Sequence, residues 1–433
     1  MLPFRSIALI LVAAAVGAAT GHAQLPAWLT LHSELTDEMT QTQQGKFSLF
    51  NPEGRLVTVD ESVNLLKLDL DLAVKGPYQW GVKGQLSSTA VDSQFHDSGL
   101  DVRDLYVHGP AGPFEISAGR KIVKWSNGYA FNPAGLLDPP RDPTDPQDRL
   151  NQVRGRDLVQ VDYYRGNQTL TAAYSSDGLY RDLGRDAATV LALRYNILWR
   201  ALDFSLMLGL RPEGKDVGAF SFTYVVGDRL GLHGELAGTR GSAALLPRSI
   251  QTGQQQVLFG RDFTAPLNED SHSLYLNYLL GMNYTFGSGI NVTIEYYHTD
   301  EGLSRQDWER FFAQARYSGA LVGDPRFSPV LGPYTLPEVN LLQAVQTLSR
   351  AGIRRDYTLF RVALPKIGRV EASALALINV ADHSFVTVPE LSVSVSSRIA
   401  AYLRARLFTG NSMSQYGNIP QGPTISLGLR TNF

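Results

Sequence analysis

The sequence predicts an all-β fold, a single transmembrane antiparallel β-barrel of about 18 strands, with 16 as the alternative count. Three observations predict it. Apolar residues alternate with polar or small ones along nearly the whole 433-residue chain, the period of strands with two unlike faces. Tight turns and longer polar connections take turns between these segments, as in a barrel with short turns at one rim and loops at the other. Finally, no window offers the 18 or more consecutive apolar residues that a spanning helix needs.

Residues 1–23 carry Arg5, the apolar run Ile7 to Ala19, and a small-x-small end at Gly21, His22 and Ala23 before Gln24. They read as a secretory signal peptide, which leaves 24–433 as the barrel domain. Loss of the signal takes away one positive charge and moves the formal net charge from −2 to −3. So weak a field gives no reason to expect a nucleic-acid partner. The chain has no cysteine, so disulfide and thiolate chemistry are excluded.

At the C-terminus Ile425, Leu427, Leu429, Thr431 and Phe433 alternate with Ser426, Gly428, Arg430 and Asn432. This strand resembles the C-terminal insertion signal of bacterial outer-membrane proteins. The resemblance implies a Gram-negative outer-membrane location among lipid and lipopolysaccharide, with the barrel-assembly machinery as a partner through the Phe433 strand.

The first strand is expected from about Ala27 to Leu35, followed by polar sequence to Glu61. In the second, Leu66, Leu68, Leu70, Leu72 and Val74 oppose Lys67, Asp69, Asp71 and Lys75. In the third, Tyr78, Trp80, Val82 and Leu86 oppose Gln79, Lys83, Gln85 and Ser87, and Tyr78 and Trp80 stand where an interfacial aromatic girdle belongs. Further strands are expected near 101–109, 113–124, 155–165, 168–176, 188–197, 201–211, 217–226, 229–239, 272–286, 289–299, 354–365, 368–379, 385–396, 398–409 and 424–433. An even count places both termini at the rim with the short turns, expected to be periplasmic.

Long outer loops are expected near 125–155, 238–271 and 299–353. In the last, Ser304 to Ala315 and Pro337 to Leu348 space their apolar residues as short helices would. With the first strand close to the cleavage site, no plug or periplasmic domain is expected before the barrel. Residues such as Lys67, Asp69, Asp71, Lys83, Arg194, Asp203, Glu235, Glu295, Arg361, Glu371, Arg404, Arg406 and Arg430 must face the lumen. Arg or Lys facing lipid near the midplane costs roughly 2 to 4 kcal/mol. Most are expected to pair with one another in a solvated ladder. Arg404, Arg406 and Arg430 form the strongest local basic group, able to set a transverse field on hydrated solutes.

The connection after the fifth strand combines Pro133, Pro139, Pro140, Pro143 and Pro146 with Asp138, Asp142, Asp145 and Asp148, and interleaves Arg141 and Arg149. Prolines stiffen a loop and aspartates close turns within it. Asp138, Arg141, Asp142, Asp145 and Asp148 are accordingly expected to form a constriction inside the lumen, opposite the basic residues of the last two strands. An exposed, turn-rich loop is the alternative. A calcium site would need the regular ligand spacing that these aspartates lack.

The run starting at Gly119, with Arg120, Trp125, Gly128, Asn132 and Pro133, resembles a segment of porin-like families of Gram-negative bacteria, including the alginate-export group. That resemblance implies an 18-stranded barrel, and for the alginate-export group a pore that passes an anionic polysaccharide. The expected function is a porin-like channel for small hydrophilic or substrate-selective solutes. An export conduit for polysaccharide or lipid, and a scaffold barrel for an envelope complex, are the alternatives.

No enzymatic activity, cofactor or metal is expected. The histidines at 32, 96, 108, 233, 272, 298 and 383 form no metal-ligand spacing. Ser271, His272 and Ser273 place a hydroxyl beside an imidazole, but catalysis also needs a third group to orient the base.

Overall fold

The computed structural model describes residues 27–44, 48–54, 56–92, 94–139, 141–145, 153–176, 189–211, 216–241, 245–247, 264–266, 273–350 and 352–433. The expected signal peptide, Asp148, and Ser271 with His272 lie outside the described residues.

Eighteen antiparallel strands form one closed sheet. They are β1 (Leu29–Gln44), β2 (Ser62–Val74), β3 (Gln79–Val91), β4 (Gln94–Ala111), β5 (Phe114–Lys121), β6 (Arg156–Arg165), β7 (Gln168–Ser175), β8 (Val190–Trp199), β9 (Leu202–Leu210), β10 (Val217–Val226), β11 (Leu230–Arg240), β12 (Leu274–Thr285), β13 (Asn291–Thr299), β14 (Asp356–Ala363), β15 (Val370–Asn379), β16 (Phe385–Ser394), β17 (Ile399–Thr409) and β18 (Gln421–Asn432). Each pairs with the next, and β1 closes the ring on β18 with Thr36 opposite Arg430. The count of 16 is thereby excluded.

Closure leaves no edge strand in the ring, so every backbone ladder is satisfied within the sheet. Both ends of the described chain sit at the short-turn rim, where the Phe433 amide donates to the Ser33 carbonyl at 2.9 Å. Two-residue turns there rely on glycine: Gly112 and Gly166 adopt φ of 65° and 62°, open to glycine without strain.

The pleat sorts the faces. On β8, Leu191, Leu193 and Tyr195 are exposed on the outer wall while Ala192 and Arg194 point inward; on β9, Leu206, Leu208 and Leu210 are outside, with Ser205 and Met207 inside. A continuous apolar outer wall of this kind belongs in hydrocarbon. Near the short-turn rim Trp28, Tyr78, Trp80, Phe114, Trp199 and Phe286 are all exposed, forming an aromatic girdle that includes the Tyr78 and Trp80 pair.

Three strands run further than their alternation suggests. β1 continues nine residues beyond Leu35, and the β3–β4 ladder persists through Ser88 opposite Ser98 and Thr89 opposite Asp97. The expected long connection between Ser87 and Asp101 is therefore a hairpin that turns at Asp92, where φ is 47°. Most of its residues are polar, and the apolar Ala90, Val91, Phe95 and Leu100 do not alternate regularly, so the period-2 signal fades although the backbone pairing does not.

At the loop rim, α1 (Arg305–Ala320) and α2 (Leu336–Leu348) start at Ser304 and Thr335, each in a reciprocal capping box with Asp307 and Glu338. Trp308, Phe311 and Phe312 of α1 pack with Leu341, Val345 and Leu348 of α2 around Phe50 of the β1–β2 connection. The Trp308 indole donates to the Met413 carbonyl at 3.0 Å, which ties the β17–β18 connection to the same cluster.

Candidate functional site: a loop held inside the barrel

The chain between β5 and β6 leaves the wall at a built-in irregularity. The β3–β4 register shifts between Lys83 and Gly84, so that Arg103 and Asp104 both turn inward. Asp104 then accepts the Ile122 amide at 2.8 Å, and the returning Gly155 amide donates to the Arg103 carbonyl at 2.9 Å. Arg120 braces this base with two bonds to Asp157, at 2.9 and 3.1 Å, and one to the Val102 carbonyl at 2.9 Å. Gly119 has φ of 119°, and a Cβ there would stand 2.2 Å from the Leu105 carbonyl oxygen. Only glycine fits. Much of the Gly119 to Pro133 run is thus the end of β5 and the first descent of the loop.

Inside, six consecutive backbone amides are shared among three carboxylates. Trp125 and Ser126 donate to Asp138 at 2.7 and 3.0 Å, Asn127 and Gly128 to Glu235 of β11 at 2.5 and 2.8 Å, and Tyr129 and Ala130 to Glu295 of β13 at 2.5 and 2.9 Å. Glu235 also receives the Ser126 hydroxyl at 2.7 Å and the Ala134 amide at 2.9 Å, while Glu295 receives His233 Nε2 at 2.7 Å. Arg141 closes the motif by donating to the Gly128 and Tyr129 carbonyls. Burial pushes the Asp138 carboxyl above the ordinary carboxylate range, while its two amide donors and Arg141 pull it back.

Glu235 and Glu295 are buried to 2% and 1% exposure. Their inward orientation agrees with the sequence, but a place in a solvated salt-bridge ladder does not. The correction has a simple cause: the loop covers both, and backbone N–H groups satisfy them. A buried carboxylate without such partners costs several kcal/mol, and hydrogen bonds to a charged group return about 1.5 to 3 kcal/mol each.

Apolar packing complements these anchors. Val123, Trp125, Leu136 and Leu137 lie against Leu158, Ala192, Met207 and Ala237, where small inward side chains on the wall leave room for the loop. Phe131 stacks on Tyr297 with centroids 4.1 Å apart. Arg194 and Arg361 lie over the Trp125 and Tyr129 rings at 5.9 and 5.4 Å. These two arginines touch the loop's aromatic side chains.

The loop then reaches the opposite wall. Asp145 meets Arg404 of β17 at 2.9 Å, with Glu390 of β16 behind it at 3.4 Å, and Asp142 meets Arg406 at 3.6 Å. Of the expected basic trio, Arg430 is described at the barrel closure. It pairs with Glu34 across the β1–β18 closure at 3.0 Å and lies over the Tyr402 ring.

The other charged positions are on the inner face as well. Lys83 pairs with Asp71 at 3.0 Å, Asp69 accepts Gln85 at 2.7 Å, Asp203 accepts Asn196, and Lys67 is buried on the same face of β2. Glu371 pairs with Lys366 at 2.9 Å at the short-turn rim, half exposed. Sequence reasoning missed Arg154, which pairs with Asp101 at 2.6 Å; it lies in the segment near 125–155 expected to be a loop, and Asp101 at the start of an expected strand.

A cavity of about 2000 Å³ lies beside the loop, lined mainly by β17, β18 and β1 to β4 and also by His233 of β11, Asn283 of β12 and Thr293 of β13. Glu34, Asp71, Lys83, Lys124, Arg154 and Arg406 are among the charged groups that line it. It is off-centre, because the loop occupies the β6 to β16 side.

Against known structures the whole described barrel finds counterparts. Pseudomonas aeruginosa OccK11 (OpdR) is similar with a TM-score of 0.53 at 8% identity, over 94% of this chain and 96% of that one. Acinetobacter baumannii OccAB1 gives 0.53, 8%, 94% and 96% in the same order, and P. aeruginosa OccK5 (OpdH) gives 0.51, 10%, 94% and 98%. The fold is shared with outer-membrane porins. At such low identity the likeness concerns the fold. No protein-family model matches the chain, and no curated protein matches it either. The alginate-export resemblance therefore gains no support from a family match.

Proposed function

We propose that the chain is an outer-membrane channel through which small hydrophilic solutes pass along the off-centre cavity. The observation that carries this reading is the pairing of an apolar outer wall with a large, charge-lined cavity of about 2000 Å³ inside the same closed sheet. Hydrocarbon outside and fixed charges inside are what a conducting barrel needs, since polar solutes then exchange hydration water for lumen groups. The short-turn rim would face the periplasm with both termini, and the β18 strand ending in Phe433 would be read by the barrel-assembly machinery. No catalytic role is assigned to any residue.

Passage of polysaccharide rests only on the Gly119 to Pro133 run, most of whose members build the loop's base and descent. Single-channel recording of the purified barrel in planar bilayers tests the channel reading. Stepwise, ohmic current supports it, and insertion without conductance defeats it.

A further inference from the structure

We propose that Glu235 and Glu295 are positioning residues that set the size of the aqueous path by fixing the loop, while contributing almost nothing to its ion selectivity. The inference rests on the channel reading and goes beyond it, because neither carboxylate touches the passing solute.

The geometry gives each carboxylate a set of donors that no other side chain reproduces. Glu235 accepts from Asn127, Gly128, Ala134 and the Ser126 hydroxyl; Glu295 accepts from Tyr129, Ala130 and His233. Consecutive amides converging on one anion make a nest, which favours negative charge at a fixed point. In this barrel the anion belongs to the wall and the nest to the loop, so the contact sets where the loop lies. Gly281, between the two strands, leaves the room: a Cβ there would stand 2.2 Å from His233 Nε2 and 2.9 Å from Glu295 Cγ.

The same bonds spread the carboxylate charge over backbone dipoles under a dry layer of loop. Lumen ions should sense little of it, in contrast to Asp71, whose side chain stays 41% exposed beside Lys83. Charge removal at the two kinds of site should thus have opposite signatures. A glutamine at 235 keeps one acceptor oxygen but turns an amino group toward donors, so it should weaken the anchor without leaving a void.

The test compares wild type, Glu235→Ala, Glu235→Gln and Asp71→Asn in planar bilayers, with formate as probe and trypsin cleavage of the detergent-solubilised barrel in parallel. Glu235→Ala should raise mean conductance or its variance at least twofold and free the chain at Lys124 and Arg141 for cleavage by trypsin. Millimolar formate, filling the vacated nest, should reverse both changes. The zero-current potential in a salt gradient should stay at the wild-type value for both Glu235 variants and shift for Asp71→Asn. If Glu235→Ala does not assemble, Glu235→Gln decides on the same readouts. Wild-type conductance and trypsin resistance in the variants, or a zero-current shift equal to that of Asp71→Asn, would overturn the proposal. A wild-type barrel without current would instead defeat the channel reading, and trypsin cleavage alone would then decide whether these residues hold the loop.

Discussion

Arg404 and Asp145 meet at 2.9 Å across the lumen, joining strand β17 to a loop whose other side is bound to β11 and β13. The Arg404 side chain is only 9% exposed and has Glu390 as a second partner at 3.4 Å. Its charge is therefore committed to holding the loop, whereas Arg406, 32% exposed and 3.6 Å from Asp142, is available to ions in the cavity.

Neutralising these two arginines should separate the roles. Arg406→Gln should shift selectivity toward cations with little change in conductance. Arg404→Gln leaves Asp145 without its 2.9 Å cation and takes one partner from Glu390, a change that costs about 3 to 5 kcal/mol for a fully buried pair and less here. It should broaden the conductance distribution. Reversal potentials and current histograms check both, and identical behaviour of the two variants would contradict the division.

Arg430 tests the closure of the barrel. Arg430→Gln removes the 3.0 Å pair with Glu34 at the β1–β18 closure and should lower the temperature at which the folded band is lost in semi-native electrophoresis. Conductance of the variants that still fold should be unchanged. A change like that of Arg404→Gln would show that the closure and the loop are coupled.

Two neighbours on β8 test the orientation of the wall. Leu193 faces outward and Arg194 inward over Trp125. Leu193→Arg should destabilise the inserted barrel by roughly 2 to 4 kcal/mol, the cost of a cation on the lipid face near the midplane. Arg194→Leu should be tolerated for insertion. Urea titration in lipid vesicles measures both, and the reverse order would invert the assigned faces.

Gly119→Ala should destabilise the loop's base, because the substituted Cβ meets the Leu105 carbonyl and the φ of 119° is strained for any other residue. Strain of that kind costs about 1 to 3 kcal/mol. The same urea titration reads it, and an unchanged midpoint would mean the ladder shifts freely at that point.

Much of this architecture was legible because a barrel writes its strands as period-2 alternation and its orientation as connection lengths. The 18 strands, the helices after Ser304 and Thr335, and the proline-rich segment all have local signals. What stayed hidden depends on contacts distant in sequence. Glu235 looks like any lumen acid until a loop more than 100 residues earlier is seen to cover it; the small residue next to it on the same face, Ala237, was the available hint. The bulge at Arg103 and Asp104 changes which side chains point inward without altering composition. Polar hairpins above the apolar band, such as Ser88 opposite Ser98, carry pairing with no alternation to betray it.

The central claim is that a water-filled path runs beside a loop fixed inside the barrel, and deletion of the segment from Asp138 to Asp148 tests it most directly. In planar bilayers the deleted barrel should conduct several-fold more than wild type and should lose the contribution of Asp142 and Asp145 to selectivity. Unchanged conductance in a deletion variant that still folds and inserts would contradict the claim, because the loop would then lie outside the path that ions take.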